Sequence, residues 1–282
     1  MRTRVVVGRD RVVQEVRAAT PLARRLNAPV TARAPWLTAV LDVQAARRRA
    51  GRPVAVVVGA DGQPPSAVAF LQLRRRWSTS GLATAVTVLG DGLPTPPGGP
   101  TTRLLAADDD ASAALAEGVL ELLGGLRGPW SLHLAGLPLG DRTARRLAER
   151  FPMARMATER TTALVDGLDD GGPVARSADP RELERVLPAL LAPAPDAGAR
   201  AFLRAAARLH AAAGRLEVAV PVDRPGALLT LLDGPDRRPW WATPGLPGMR
   251  SERGAPAAAV TVPARSWLPP PDVARRLGGR RS

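Results

Sequence analysis

Cysteine is absent from the 282 residues, and so are lysine, isoleucine and tyrosine. Without thiols the chain can form no disulfide, no thiolate nucleophile and no Cys-ligated metal site, and it suits a reducing compartment. Without tyrosine no phenol is on hand as a general acid. Histidine is nearly as scarce: the chain has two, His133 and His210, far apart and with no acidic cluster at ligand spacing, so no metal is expected. No apolar run approaches the roughly 20 residues of a membrane span, and the start, MRTRVVVGRDRVV, lacks the apolar centre of a signal peptide. These absences lead us to expect a cytoplasmic protein with no membrane span.

What replaces lysine is arginine, which supplies all 40 basic residues and leaves a net charge of +14. Codon bias can exchange Lys for Arg, but it does not create an excess of base over acid. That excess sits at the ends: residues 1–53 carry a net +9, residues 221–282 a net +5, and the stretch between them none. Basic ends around a neutral middle read as tails and exposed faces more than as a binding groove, so nucleic acid is possible as a partner but not favoured.

Hydrophobic periodicity organises the rest. Pro35-Trp36-Leu37 opens a helix over 36–50 with Leu37, Val40 and Leu41 on one face, closed by Gly51. Pro53–Gly59 and Ala67–Arg74 read as a hairpin, and Ala85–Gly90 as a third strand before a Pro/Gly loop from Asp91 to Pro100. Arg103–Leu105 is a candidate short strand. Asp108, Asp109 and Asp110 precede a helix over 111–127 and 129–137 is a buried strand; Asp141 caps a short helix to Arg150, and 157–165 is a last strand. Beyond a Gly/Asp/Pro stretch, Asp179-Pro180-Arg181-Glu182 starts a helix to Leu191. A second helix covers 199–213, three strands follow, and another strand is possible near Ala259–Val262. The fold class expected is α/β: 1–34 a basic N-terminal segment, 35–166 a first lobe, 167–178 a linker, 179–263 a smaller and incomplete second lobe, 264–282 a Pro/Arg-rich tail. Ala50-Gly51-Arg52 and Ala213-Gly214-Arg215, each between an Arg/Ala-rich helix and a hairpin, raise the prospect of a duplicated fold.

Residues 35–165 carry a resemblance. The Pro35-Trp36-Leu37 helix start, RPVAVVV and AVAFLQLRRR, TVLGDG, RLLAADD, GGLRG and WSLHLAGLP follow in an order similar to the amino-terminal unit of the CelD-like tandem acyltransferases of the GNAT superfamily. The resemblance implies a mixed sheet flanked by helices, acyl-CoA as cofactor and transfer of its acyl group to an amine. It also implies a loop of the form Q/R-x-x-G-x-G/A cradling the pyrophosphate at a helix start, where backbone N–H groups and the helix dipole favour anions. The chain holds no good copy. Ser78-Thr79-Ser80-Gly81-Leu82-Ala83 lacks the leading Arg or Gln, Arg48–Pro53 has Pro where Gly should stand, and Asp108–Asp110 occupy the expected helix start.

Candidate site residues are correspondingly few. Arg74, Arg75 and Arg76 with Trp77 could grip a phosphate or a base, with Gly81 in the adjacent turn, and these are the cofactor-binding candidates. The other basic triplet, Arg47–Arg49, reads as solvated charge at a helix end. His133 reads as a hydrogen-bonded core or interface residue and His210 as a partly exposed helix position. Trp240 and Trp241 must point to opposite faces of a strand, and packing between the lobes is the expected role, with Trp267 and Leu268 as further cover for the second sheet. Three function classes stay open: a GNAT-like acyltransferase; a non-catalytic binding or scaffold protein on a degenerate version of that fold, taking a small-molecule or protein partner; and a nucleic-acid-associated relative, since the resemblance extends to tandem GNAT-fold enzymes that take aminoacyl-tRNA as donor.

Overall fold

The computed structural model describes residues 2–46, 51–60, 63–78 and 81–264. It is a mixed α/β structure with one large sheet, one small sheet and helices between and behind them. The large sheet has eight strands: β1 (Arg2–Val7), β2 (Arg52–Gly59), β3 (Ala67–Ser78), β4 (Gly81–Val88), β5 (Leu105–Ala106), β6 (Trp130–Pro138), β7 (Arg155–Glu159) and, from the far end of the chain, β14 (Ala257–Val262). They run in the order β1-β2-β3-β4-β6-β14-β7, with β5 paired to β3. Among the described strands every pair is antiparallel except β4–β6.

Helices α1 (Arg9–Ala18), α2 (Thr20–Arg25) and α3 (Ala34–Ala45) lie on the front of this sheet; α4 (Asp109–Gly124) and α5 (Arg142–Glu149) lie on the back. Covered on both faces, β2 reads as a continuous apolar run, and Val54 to Val58 have no exposed surface. Helix α4 comes close enough at Gly118 that a Cβ there would overlap the Thr3 and Val56 side chains. The small sheet is β9 (Val174–Ser177), β10 (Leu216–Pro221), β11 (Leu228–Asp233) and β12 (Asp236–Ala242), all antiparallel, with α6 (Pro180–Leu191) and α7 (Ala197–Ala212) preceding β10. A two-stranded ribbon, β8 (Thr162–Asp166) with β13 (Met249–Arg253), links the two.

Several elements differ from the sequence reading. Residues 2–25 are not a loose basic segment: β1 is the edge strand on β2, and Val12, Val16 and Leu22 of the helices behind it are buried. The α3 helix starts two residues earlier than expected, with Pro35 in its first turn. The strand expected over 157–165 is two strands in two sheets, divided where the Thr161 carbonyl accepts the Gly254 N–H. Residues 174–177, placed in a linker, pair with β10. The strand near 259–262 belongs to the large sheet, between β6 and β7, and not to the small one. Arg47–Arg49, Trp267 and Leu268 lie outside the described residues.

One apolar core joins the sheets. Helix α3 is buried nearly all round, the pattern of a helix sandwiched between layers. It packs on Ala55, Val57 and Val68 below, and on Phe202, Ala206 and Trp240 above. Trp36 is the centre: its ring lies 5.0 Å from Phe202, 5.2 Å from Trp240 and 6.1 Å from His210, mostly edge to face. Trp240 is buried in this joint, and because the register shifts at Leu229/Thr230 the expected alternation fails: Trp241 packs against the same cluster and donates to the Leu190 carbonyl, so the two do not lie on opposite faces. Arg33 adds a bidentate ion pair to Asp233, at 2.5 and 2.9 Å, across the same joint.

Candidate functional site

In open α/β sheets ligands usually bind outside the carboxyl ends of the strands, where the strand order switches, and the parallel pair β4–β6 is the place in this sheet to look for such an opening. Here β4 and β6 are partnered over Thr84–Thr87 and Trp130–His133 only. The strand line of β4 along β3 is resumed by β5, so residues 89–104 are an excursion from one line. That excursion returns against β6: the Gly136 carbonyl accepts the N–H groups of both Thr101 and Thr102, at 2.8 and 2.9 Å. Gly136 has φ +72°, and a Cβ there would overlap Thr101 Oγ1. Thr31 Oγ1 donates to the Thr101 carbonyl at 2.5 Å, and Arg103 donates to the Leu26 carbonyl. The opening beyond the parallel pair is thus taken up by the chain's own segment.

The helix start beside it is equally occupied. Asp108 caps α4 by accepting the Ala111 N–H at 2.8 Å, Asp109 pairs with Arg142 at 2.5 Å, and Asp110 completes three successive carboxylates. Asp141, the cap of α5, is held by backbone N–H groups of Ala144, Leu104 and Thr143, while burial pushes its carboxyl up from the usual carboxylate range. An incoming pyrophosphate would meet these charges at close range.

On the front face a polar row crosses four strands. Gln72, Thr87, His133 and Thr261 are successive register partners on β3, β4, β6 and β14. Gln44 of α3 donates to Gln72 Oε1 at 2.6 Å, and Gln72 donates in turn to Thr87 Oγ1 at 2.9 Å. His133 Nδ1 is 2.9 Å from Thr261 Oγ1, leaving Nε2 as the nitrogen outside that bond. The sequence reading did not single out Gln72, and nothing in AVAFLQL ties it to Gln44 of α3 and Thr87 of β4.

The expected cofactor residues do not gather here. Arg74 reaches back to Gln72 Oε1 at 3.2 Å, whereas Arg75, Arg76 and Trp77 are exposed on the projecting end of the β3–β4 hairpin, with Gly81 opening β4. Helix α4 begins near the other end of β3, where β5 meets Ala67, about 25 Å away at the rise of an extended strand. His133 is half-buried and hydrogen-bonded, as read. His210 is not exposed at all: it faces Trp36 with 0% of its surface accessible, and burial, with Arg215 and Arg33 nearby, pulls its pKa down to about 4. Its place on the buried stripe Phe202, Ala206, His210 was visible in the sequence as i, i+4, i+8 spacing.

A concavity lies elsewhere, between the excursion and the small sheet. This cleft of about 570 Å³ is lined by Pro94, Pro97, Leu164, Trp241, Leu246 and Met249, among others. Both tryptophans at its wall have satisfied indoles: Trp240 Nε1 donates to the Pro94 carbonyl and Trp241 Nε1 to the Leu190 carbonyl. Among the described residues no group of three His, Asp or Glu is placed to hold a metal ion, and no helix is long and apolar enough to cross a membrane.

No protein-family model and no curated protein matches the chain. Among solved structures, it is similar to the crystal structure of a conserved protein of unknown function from Enterococcus faecalis V583, described as a probable N-acyltransferase. The likeness covers 92% of this chain and 72% of that one, at 9% identity and a TM-score of 0.34. A likeness of that size decides no function.

Proposed function

We propose that the chain is an acyltransferase-related protein, GNAT-like in its large sheet, whose acyl-CoA site is closed and which holds a small-molecule or protein partner instead of turning over acyl-CoA. The observation that carries this reading is the double hydrogen bond from Thr101 and Thr102 to the Gly136 carbonyl, at the opening where a donor would lie. The residues present do not fit the cofactor: the helix start that would take its pyrophosphate is filled by Asp108, Asp109 and Asp110. The second lobe is read as an incomplete copy of the first, because β9-α6-α7-β10-β11-β12 follows the same plan as residues 2–88, a strand, helices and three more strands paired in the same sequence, with two helices in place of three. The place for a ligand is the cleft beside Trp241, whose proline, leucine and methionine walls suit an apolar group.

Titration calorimetry with acetyl-CoA tests this: no saturable heat is expected, and a micromolar dissociation constant would restore the enzyme reading. One observation favours that second reading, the His133–Thr261 bond beside the parallel pair, which orients an imidazole on the open front face. If acetyl-CoA does bind and an amine is acylated, His133→Gln should abolish turnover while leaving the binding heat intact.

A further inference from the structure

The β3–β4 hairpin runs past β2 and carries basic and apolar side chains, exposed, near its end. Strand β2 pairs with β3 only as far as Leu73, so Arg74–Ser78 and Gly81–Ala83 extend beyond it. Trp77 and Leu82 are register partners and share a face. Their exposures are 84% and 43%, and Trp77 is the most exposed large hydrophobic side chain among the described residues. Around them stand Arg52, Arg75, Arg76 and Arg127, all exposed; Arg127 belongs to the loop whose Pro129 carbonyl accepts the Thr84 N–H. None of the four has an ion-pair partner among the described residues, whereas Arg4, Arg9, Arg33, Arg176 and Arg208 all do. Residues 51–59, 67–90 and 124–133 at this end of the sheet contain no Asp or Glu, and the carboxylates of the β1–α1 corner beside Pro53, Asp10 and its neighbour Asp42, are both paired with Arg9.

We propose that this hairpin end docks on an anionic lipid surface, with Trp77 and Leu82 entering the headgroup layer and the four arginines meeting lipid phosphates. A cationic collar whose four arginines have no carboxylate partner among the described residues suits an anionic surface, and an indole beside an aliphatic side chain suits the interface between headgroups and acyl chains. A single-stranded nucleic acid fits the same charge less well. Reading successive bases takes successive aromatic faces, and Trp77 is the one exposed aromatic on the hairpin, paired with a leucine that offers no stacking surface.

The test uses the full chain with vesicles of phosphatidylcholine alone and with about one-third phosphatidylglycerol at physiological salt, read by co-sedimentation and tryptophan emission. The partition coefficient should rise at least about tenfold with the anionic lipid, the scale of one to two surface arginines. Trp77→Ala should lose about tenfold, and Arg75→Gln with Arg76→Gln about as much or more. A charge-matched control, Arg11→Gln with Arg17→Gln on α1, should change little. Equal binding to both vesicles, equal loss in the control, or binding of tRNA with none to either vesicle would each overturn the proposal.

Discussion

Acidification should loosen the joint between the two sheets through His210. The imidazole is sealed against Trp36, its pKa is lowered from 6.5 to about 4 by burial and by Arg215 and Arg33, and Asp233 is committed to Arg33. Because the folded state holds the proton more weakly than the unfolded chain, the stabilisation is complete above about pH 6.5 and is lost as pH falls toward 4. The slope is about 1.4 kcal/mol per pH unit, so going from neutrality to about pH 5 should remove about 2 kcal/mol. Urea unfolding at both pH values, for the parent and for His210→Leu, isolates this from the carboxylates, which titrate in both proteins. The parent should lose about 2 kcal/mol more than the variant. Equal losses would mean that His210 keeps its ordinary affinity for a proton when folded, and the sealed joint would be refuted.

Other perturbations probe other joints. Trp240→Ala should cost about 3–5 kcal/mol, measured by denaturant unfolding, because it empties the contact between Trp36 and Phe202. Arg176→Ala should cost about 3 kcal/mol, since it strands Asp166, which is 14% exposed, while Glu217 keeps Arg237; the Asp166 carboxyl, pushed up by burial, is pulled below its usual range overall by that arginine. A fragment of residues 1–167 should fail to give a cooperative thermal transition, since it lacks β14, the strand between β6 and β7. Gly136→Ala should destabilise by about 2 kcal/mol in thermal unfolding, and the substitution Thr101→Gly made with it should restore part of the loss.

Local signals were legible and long-range ones were not. Asp179 and Asp141 announced their helices, and both do accept the N–H groups of the first turn. The hairpins and the long back helix followed from alternation and from Asp108. What escaped was pairing at a distance. RTRVVV reads as a basic tail until β2 supplies its partner, and the small residues of AAAVTV become a central strand only because β6 and β7, far earlier in the chain, leave a slot between them. The break between β7 and β8 is invisible in TERTTALVD, since a contact from Gly254 causes it. The site was the least legible part. A Pro/Gly loop shows that the chain turns, but only the structure shows Thr101 and Thr102 bonded to Gly136, and the arginine triplet on a projecting hairpin far from the helix it was meant to serve.

Amide hydrogen exchange at Thr101 and Thr102, with and without acetyl-CoA, tests the closed opening most directly. Both amides should be protected for as long as the neighbouring β6 amides, and saturating acetyl-CoA should leave their rates unchanged. Exchange as fast as in a free loop, or a change in protection at these two amides on adding acetyl-CoA, would contradict the account and open the site to a donor.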